Sequence, residues 1–542
     1  MTATAETTDK TEVLIIGAGP AGLAMAIELG SRGIACIVVE RNERVGHAPR
    51  AKTTNVRTRE HLRRWGIAGK LAEAAPLGLD YPSNVKFVTR LAGHGLASFE
   101  NAFYCDPTPN ALYSEHAQWI PQYTLEKVLK EHAQSLPGVT FRFEHELVSF
   151  EQDEHSVTAT VRDLQGRRMR AIEADYLVGA DGARSAVRIA IGAEMEGKYG
   201  LSRNYNIVFR APGLAEAHPH GKAIMYWQVN TETPSLIGPM DTGDTWFFMP
   251  TNVPADFKVD NAAAADLIRK ATGIDLPYEV LSSDEWVASR LIADRYRQGR
   301  VLLVGDACHL HPPFGGYGMN MGVADSVDLG WKLAAVLRHW GGPGLLDSYQ
   351  AERRQVHQRV MDEAVANHAV LGSELVRDGI EEDSASGAAM RTLVGATIKQ
   401  IKGREFDTLG VVLGSRYDGS PIVVGDGSAP PAAQVSRFEP SACPGGLAPH
   451  AWLEPGKSLY DSFGAGFTLL VCGDEREPDI EQAQIDAAAA GLPLTIAMPR
   501  ADGLRELYQA RLALIRPDQH VAWRGDTWPT EGVALLRRVS GH

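Results

Sequence analysis

A glycine-rich turn near the start of the chain constrains its fold more than any other feature. An apolar run at residues 12–16 leads into GAGPAG at residues 17–22, and an Ala-, Leu- and Met-rich segment follows to residue 32. Glycines at this spacing permit a tight turn, let a pyrophosphate approach the backbone and let the helix pack on the strand. The N-terminus of that helix favours phosphate. The pattern predicts a dinucleotide site with contacts at Gly17, Gly19, Pro20, Ala21 and Gly22.

A second apolar run, at residues 35–39, ends in Glu40, where a carboxylate is placed to accept hydrogen bonds from an adenosine ribose. An acid here favours a free 2′-hydroxyl, which FAD and NAD both have, over a 2′-phosphate. Arg41 follows directly, and we expect it to contact the same cofactor. A purely structural glycine turn leaves Glu40 unexplained, so the pattern predicts a true nucleotide site. It does not separate FAD from NAD.

Two later apolar runs also end in glycine-bearing turns. Residues 176–178 lead into GADGARS at residues 179–185, and residues 301–304 lead into GDACH at residues 305–309. Short apolar runs bounded by glycine are typical of buried strands in a parallel sheet. Residues 319–339 carry apolar side chains at helical spacing. Strands that alternate with helices predict a doubly wound α/β domain with a Rossmann-like fold.

The segments between and after these turns have a different composition. Aromatic residues, prolines and alternating stretches predict an antiparallel sheet inserted into the first domain. A stretch dense in Gly, Pro and Ser then separates a helical segment from a small C-terminal α/β domain. The predicted organisation is a nucleotide-binding domain (10–80, 115–200 and 290–360), a substrate-binding sheet domain (81–114 and 201–289), a helical segment (361–405), a linker (406–439) and a C-terminal domain (440–542).

Length and charge limit the function classes. At 542 residues the chain exceeds what one hydrophobic core normally supports, and a net charge of -13 disfavours nucleic acid or an anionic membrane as partner. The five cysteines form no Cys-x-x-Cys pair, which fits free thiols in a reducing compartment. The polar N-terminus lacks the pattern of a secretory signal. We expect a cytoplasmic protein of two or three domains that contacts neither nucleic acid nor membrane.

Three motifs in order resemble the signatures of one enzyme family. GADGARSAVR (residues 179–188) and GDACHLHPPFGGYGMNMG (residues 305–322), with the turn at residues 17–22, resemble those of the single-component (class A) flavoprotein aromatic hydroxylases. PRAKTTNVRTREHLRRWG (residues 49–66) and the C-terminal PGGLAPHAW, SLYDSFG and RPDQHVAWR are similar to the phenol hydroxylase branch. The resemblance implies FAD as cofactor, NADPH or NADH as electron donor, O2 as co-substrate, a homodimer, and a thioredoxin-like C-terminal domain without redox function.

The resemblance also implies roles for residues in these motifs. Asp306 is expected to bind the ribityl chain of FAD, because a carboxylate accepts hydrogen bonds from hydroxyl groups. Arg57 and Arg184 are expected to face flavin, phosphate or NAD(P)H, and the alternative for both is a surface salt bridge. The FAD contacts implied by the resemblance are Arg50, Arg57, Gln122, Asp181, Gly182, Arg184, Gly305 and Asp306.

The resemblance further places the flavin ring at residues 312–322. Pro312 and the glycine-rich backbone after it, including Gly318, are expected to wrap the edge of the isoalloxazine ring, since only such backbone comes that close. Asn320 and Met321 are expected to start a helix whose N-terminus faces the pyrimidine oxygen. The positive end of its dipole would stabilise the anionic reduced flavin.

The implied reaction is reduction of FAD by NADPH or NADH, reaction with O2, and transfer of one oxygen atom to an aromatic ring through a flavin C4a-hydroperoxide. Hydroxylation is easier on a phenolate, so a base near the substrate hydroxyl is expected. Lys52 stands where the fungal phenol hydroxylases have an aspartate, and we predict Lys52, Arg50 and Pro312 as catalytic residues. Lys52 could bind a phenolate or acidic substrate, act as a base, or point to solvent.

Several alternatives stay open at the substrate side. Tyr226, Trp227 and Tyr317 are candidate substrate contacts, although aromatic residues at strand spacing are also typical of a core. His309 and His311 lack further residues at ligand spacing, so a buried structural role is favoured and no metal is predicted. Other flavoprotein chemistry remains as an alternative, namely oxygenation (including Baeyer–Villiger-type insertion) of a polyketide- or antibiotic-like compound, a flavin oxidase, or a non-catalytic flavin sensor.

Overall fold

The computed structural model describes residues 8–43, 51–166, 168–251, 253, 259–370, 372–473 and 477–542. These residues form two large β-sheets, a smaller C-terminal sheet and the helices that cover them. The strands are β1 (Asp9–Ile16), β2 (Cys36–Glu40), β3 (Thr53–Thr54), β4 (Val85–Val88), β5 (Gly95–Phe99), β6 (Gln118–Trp119), β7 (Val139–Phe143), β8 (His145–Gln152), β9 (Val157–Asp163), β10 (Met169–Gly179), β11 (Met195–Arg210), β12 (Met225–Gln228), β13 (Ser235–Pro239), β14 (Thr245–Pro250), β15 (Glu279–Ala293), β16 (Arg297–Gln298), β17 (Val301–Leu303), β18 (His309–Leu310), β19 (Trp452–Glu454), β20 (Lys457–Ser458), β21 (Phe467–Val471), β22 (Leu494–Ala497), β23 (Leu512–Ile515) and β24 (Val521–Gly525). The helices are α1 (Pro20–Gly30), α2 (Val56–Arg64), α3 (Ala68–Glu73), α4 (Gln122–Ser135), α5 (Ala186–Ala190), α6 (Asn261–Thr272), α7 (Gly318–Leu337), α8 (Gly344–His368), α9 (Ala385–Phe406), α10 (Leu409–Val412), α11 (Glu477–Ala490), α12 (Leu504–Tyr508) and α13 (Gly532–Val539).

The first sheet has the order β16-β17-β10-β1-β2-β7, and β8 and β9 extend it from β10. Strands β17, β10, β1, β2 and β7 pair in parallel. The residues of β1 from Val13 to Ile15 are fully buried, which is typical of a parallel strand covered on both faces. Ile16 pairs with both Val39 and Gly179, so these strands end at one edge of the sheet. The predicted Rossmann-like fold is confirmed.

The second sheet has the order β18-β15-β11-β14-β13-β12-β4-β5 and is antiparallel except at the β12–β4 pair. Side chains alternate between its faces, as expected for strands. Tyr226 packs on one face with Trp246 and Ile268 of α6, whereas Trp227 packs on the other with Phe314 and Ile398 of α9. The predicted antiparallel insertion is confirmed.

A four-stranded sheet of order β22-β21-β23-β24, flanked by α11 and α13, forms the predicted thioredoxin-like C-terminal domain. It shares a core with the first domain, because Trp331 and Ala335 of α7 pack in one cluster with Phe467, Leu469 and Leu536. Residues 442–449, at the start of the predicted C-terminal domain, are all buried. Their backbone is bonded into the domain, for example through Gly445 N–H to Val521 O at 2.8 Å.

The helical segment expected at residues 361–405 consists of two helices. α8 begins earlier, at Gly344, and ends at His368, and α9 starts only at Ala385. Gly379 has a φ of +77°, and the Ser384 side chain accepts a hydrogen bond from Gly387 N–H, which starts a new helix. Among the described residues, no helix has the length and apolarity that a membrane crossing requires.

Candidate active site

The turns that follow the parallel strands lie side by side at one edge of the first sheet. Backbone hydrogen bonds join them: Gly17 N–H donates to Val39 O, Ala180 N–H to Ile16 O, and Val304 N–H to Gly179 O, at 2.8, 2.8 and 3.0 Å. Ligands of open α/β sheets bind at the carboxyl ends of the strands. The three glycine turns therefore meet at one site, as expected from their positions directly after the strands.

The first turn is closely packed on its protein side and open on the other. Gly17 has a φ of +105°, and a Cβ there would lie 2.3 Å from Ala180 O. A Cβ at Gly22 would lie 1.9 Å from Gly17 O, so both positions require glycine. α1 follows Gly19 without a side-chain cap, and Pro20 and Ala21 are partly exposed. The N–H groups of this helix end are thus open to a phosphate.

The carboxylate of Glu40 lies at the end of β2, beside the first turn. It accepts hydrogen bonds from Ala18 N–H at 2.8 Å and from Asn42 N–H at 3.0 Å. These bonds fix the side chain, which is 7% exposed. Arg41 is exposed next to it. This geometry suits a carboxylate that accepts hydrogen bonds from ribose hydroxyls.

The two other turns present different side chains to the edge. Asp306 is exposed after β17, whereas the Asp181 carboxylate accepts a hydrogen bond from Val187 N–H at 3.1 Å and from the Ser185 hydroxyl. Burial raises the pKa of Asp181 above its usual value. Asp181 therefore shapes its own turn, and the neighbouring Gly182 (φ +80°) and the exposed Arg184 are the parts open to a ligand.

A glycine loop (residues 312–317) leads into α7 and is tied to the rest of the site by Asn320. The Asn320 side chain accepts from Asn55 N–H at 3.0 Å and donates to Thr53 O at 2.9 Å and Gly316 O at 2.7 Å. Asn320 thus fixes the loop, and the helix begins two residues earlier than predicted, at Gly318. Pro312 is buried within this loop.

Met321, the second predicted helix-start residue, already donates its N–H to Tyr317 O at 2.9 Å. The N–H groups of the first turn before it have no intrahelical acceptor, as at any helix start. The Tyr317 hydroxyl and both ring nitrogens of His311 are buried without a hydrogen-bond partner in the described part of the chain. Buried polar atoms normally form hydrogen bonds, so the unbonded atoms of Tyr317 and His311 indicate a polar ligand or water beside this loop.

Gln122 holds the segment that carries Lys52. The side-chain oxygen of Gln122 accepts a hydrogen bond from Ala51 N–H at 3.1 Å, and the backbone N–H of Gln122 donates to Ala51 O at 3.0 Å. Arg50, the residue before, lies outside the described residues. The Lys52 ammonium lies 4.2 Å from the centre of the Phe247 ring and forms no ion pair with a described carboxylate. Burial lowers the pKa of Lys52 to about 8.

A wall of aromatic rings begins at Phe247, beside Lys52, on the inner face of the second sheet. Phe247 contacts Trp119 at 6.3 Å between ring centres, and Trp119 contacts Phe103 at 6.0 Å. Trp227 lies on the same face and contacts Phe314 of the glycine loop at 6.0 Å. The sequence did not single out Phe247, Trp119 or Phe314, because nothing local marks which aromatic residues meet across the sheet and the loop.

The structure separates two predicted residues from this region. Tyr226 faces the opposite side of the sheet, where its hydroxyl donates to Gly221 O. Arg57 is buried against the C-terminal domain, where it binds Glu60 at 2.9 Å, the Gln519 side chain at 2.6 Å and Asp518 O at 2.7 Å. The sequence offers no sign of this contact, which joins residues more than 450 positions apart.

His309 of the third turn belongs to a buried hydrogen-bond cluster. Cys308, His309 and Asp325 bring possible metal-ligand atoms within 4.8 Å of one another. Both Asp325 oxygens are already engaged, however: His309 and Gly305 N–H bind one at 2.8 and 3.1 Å, and His357 and Arg353 bind the other at 2.7 and 2.8 Å. Four donors and the adjacent guanidinium charge account for this carboxylate without a metal ion.

The residues at the sheet edge fit FAD. They offer an open helix N-terminus for the pyrophosphate, a fixed carboxylate at Glu40 for the ribose, an exposed carboxylate at Asp306, and unsatisfied buried polar atoms beside the glycine loop. The chain matches the family described as FAD binding domain over residues 10–364 and the family described as Aromatic-ring hydroxylase, C-terminal over residues 441–542.

Whole-chain similarity agrees with these matches. The chain is 32% identical to tetracenomycin B2 monooxygenase-dioxygenase of Streptomyces olivaceus, covering 97% of both chains, and 31% identical to 2,4-dichlorophenol 6-monooxygenase of Delftia acidovorans, covering 98% of both. It superposes on the rebeccamycin biosynthetic enzyme RebC with reduced flavin with a TM-score of 0.90 at 34% identity, covering 99% of both chains. The chain therefore belongs to the FAD-dependent aromatic-ring hydroxylases, and it is a monooxygenase.

Proposed function

We propose that the substrate is a small aromatic compound with an ionisable hydroxyl or carboxyl group, which Lys52 binds as an anion. The observation that carries this proposal is the Lys52 ammonium itself. It lies in an aromatic environment over the Phe247 ring and has no carboxylate partner among the residues that the structure describes. Lys52 is half-buried, and an unpaired charge in such apolar surroundings is unfavourable, so an anionic ligand group at this place is stabilising.

The FAD site is proposed at the edge of the first sheet. The α1 N-terminus binds the pyrophosphate, Glu40 the ribose, and Asp306 and Gln122 the ribityl chain, while the glycine loop contacts the ring. Bound FAD supplies the electron transfer and the use of O2 that the hydroxylation requires. We leave Arg57 out of this set because its guanidinium is occupied by Glu60 and the C-terminal domain. The proposed contacts are Gly17, Gly19, Pro20, Ala21, Gly22, Glu40, Arg41, Gln122, Asp181, Gly182, Arg184, Gly305, Asp306, Pro312, Gly318, Asn320 and Met321.

The chain's own residues then prepare the substrate for hydroxylation. The aromatic wall of Phe247, Trp119 and Phe103 excludes water and holds a flat ring. The Lys52 ammonium, which is protonated below its pKa of about 8, lowers the pKa of a phenol beside it and orients the resulting anion. A phenolate ring is richer in electrons and accepts an oxygen atom more readily, so this placement favours hydroxylation.

NADPH or NADH is proposed as the electron donor, with the turn at Asp181 as its contact. Gly182 leaves the backbone accessible there, and the exposed Arg184 offers a cation to a phosphate. A polycyclic aromatic compound, such as a polyketide, is a second candidate substrate. The row of rings from Phe247 to Phe103 favours it, as does the similarity to a tetracenomycin B2 monooxygenase-dioxygenase.

The test is a substrate panel given to the purified FAD-loaded protein with O2 and either NADPH or NADH. The panel pairs phenols and benzoates with neutral methyl ethers and methyl esters of the same size, and adds hydroxylated polycyclic compounds. We expect the anionic members to accelerate NAD(P)H oxidation and to gain one oxygen atom by mass spectrometry. Equal turnover of the neutral partners would contradict the role of Lys52, and hydrogen peroxide without an oxygenated product would contradict the substrate class.

A matched pair of variants isolates the charge. Lys130 also places its ammonium 4.2 Å from a ring centre, that of Phe143 in β7, the edge strand of the first sheet. We expect Lys52→Met to raise KM for an anionic substrate about tenfold or more, the value of one charge-assisted contact. Lys130→Met should leave KM unchanged. Equal effects of the two substitutions would show that Lys52 makes no direct contact with the substrate.

A further inference from the structure

The tip of one hairpin in the C-terminal domain is buried against the first domain. This hairpin tip (residues 516–520) joins β23 to β24, and all five residues are buried, with Arg516 and Asp518 only 1% and 2% exposed. Turns normally lie at the surface, where water satisfies their backbone. Gln519 has a φ of +69°, a left-handed conformation that a non-glycine residue keeps only where its surroundings fix it. The hairpin tip is therefore held by contacts outside its own domain.

Arg516 makes the central contacts. Its Nη1 donates to Glu352 Oε1 at 2.6 Å, and its Nη2 lies 3.0 Å from Asp328 Oδ1 and 2.9 Å from Glu352 Oε2. Nη2 and Nε also lie 2.7 and 3.1 Å from the carboxylate of Asp518 in the same tip. Asp328 belongs to α7 and Glu352 to α8. One guanidinium of the C-terminal domain thus joins two helices of the first domain, with the planar fork that suits carboxylates.

Two further cations contact the cluster around Arg516. Lys332 of α7 lies 2.8 Å from Asp328 Oδ2 and 2.5 Å from Glu352 Oε2. Arg57 of α2 donates to the backbone oxygen of Asp518 at 2.7 Å. The hairpin tip consequently forms hydrogen bonds and ion pairs with three helices of the first domain, α2, α7 and α8.

The same stretch of α7 also holds the third turn of the site. One helical turn before Asp328, Asp325 accepts a hydrogen bond from Gly305 N–H at 3.1 Å. A Cβ at Gly322 would lie 3.2 Å from the Gly305 Cα, so the helix and the turn are in direct contact. Gly305 immediately precedes the exposed Asp306. A displacement of α7 is therefore transmitted to Asp306 and to the glycine loop from which the helix starts.

We propose that Arg516 is a positioning residue for FAD, which fixes α7 where its first turn and the third turn hold the cofactor. On this inference the C-terminal domain acts on the cofactor through α7 and not by contact with it. The inference rests on the proposed placement of the flavin ring at the first turn of α7. The positive end of the α7 dipole stabilises a reduced anionic ring there, so loosening the helix weakens FAD binding and lowers the reduction potential of the bound flavin.

The test compares Arg516→Met and Arg516→Lys with Arg524→Met in the full-length protein. Arg524 is a matched control, because it is also a buried arginine of the C-terminal domain with a carboxylate partner, Asp426 at 2.6 Å. Its hydrogen-bond partners Asp426, Tyr508 and Ser428 lie outside α7 and α8. The dissociation constant of FAD is measured by adding apoprotein to FAD and following the quenching of flavin fluorescence. The reduction potential of the bound flavin is measured against a reference dye, and the unfolding midpoint is measured in urea.

We expect Arg516→Met to raise the dissociation constant of FAD about tenfold and to lower the flavin potential. Arg524→Met should lower the unfolding midpoint while both FAD values stay at wild type. Arg516→Lys keeps the charge and loses the fork, so it should give a smaller change in the same direction, and it carries the test if Arg516→Met does not fold. If the wild type binds FAD tightly and the Arg516 variants keep its flavin potential and dissociation constant, the inference is overturned while the proposed function stands. A wild type that binds no FAD overturns the proposed function first.

Discussion

Lys332 is fully buried and Lys52 is half-buried, yet the surroundings of the two ammonium groups are opposite. Lys332, fully buried on α7, lies 2.8 Å from an Asp328 oxygen and 2.5 Å from a Glu352 oxygen. Lys52 lies over the Phe247 ring and has no carboxylate partner within the described ranges of the chain. The interface with the C-terminal domain is thus a region of paired charges, whereas the proposed substrate side contains an unpaired one.

This difference separates two uses of buried charge. At the interface each ammonium and guanidinium neutralises carboxylates of the same protein, so the cluster joins the two domains. At the substrate side the protein leaves the charge without an internal partner, and a ligand can supply the missing anion. Removal of the two lysines should therefore affect different properties: stability for Lys332 and substrate binding for Lys52.

The largest effect is expected for Lys332→Met. Asp328 and Glu352 then share Arg516 as their remaining strong cation, and breaking a buried ionic cluster in this way lowers the free energy of unfolding by about 3–5 kcal/mol. Urea denaturation measures the change, with the exposed Lys70→Met as control. Adding Asp328→Asn to Lys332→Met should restore part of the loss, because it removes one uncompensated charge. A loss below about 1 kcal/mol would show that the interface charges are not coupled in this way.

A smaller effect is expected from pH on the use of a benzoate-type substrate, which is ionised throughout the neutral range. Burial lowers the pKa of Lys52 to about 8, so its ammonium is lost as the pH rises through that value. We expect kcat/KM for the carboxylate to fall about tenfold per pH unit above pH 8. Lys52→Arg keeps its charge at high pH and should abolish the fall. A fall that persists in Lys52→Arg would assign the titration to another group.

The contrast between the two lysines also marks what the sequence can predict. The three glycine turns, Glu40 and the α/β fold are encoded by local signals, because strand, turn and helix follow one another in the chain. The motif around Lys52 marks this residue as a candidate, but its contact with Phe247 depends on a strand 195 positions away. The partners of Arg57 and Arg516 likewise come from distant segments, 462 and 164 positions away. No local pattern contains such pairings, so the domain interface and the aromatic wall appear only in the fold.

The smallest effect is expected for the stability of Lys52→Met, and its sign distinguishes the two lysines most directly. The pKa of Lys52 is about 8 in the folded protein and near its ordinary value of 10.5 in the unfolded chain, so the unfolded chain binds more protons between these values. The free energy of unfolding of the wild type therefore rises with pH through this window, and the variant should lack this rise. At pH 7, where the wild type carries the unpaired charge, Lys52→Met should be as stable as the wild type or up to about 1 kcal/mol more stable. Urea denaturation at pH 7 and pH 10 checks both values, and a variant that is less stable than the wild type at pH 7 would mean that Lys52, like Lys332, serves the fold.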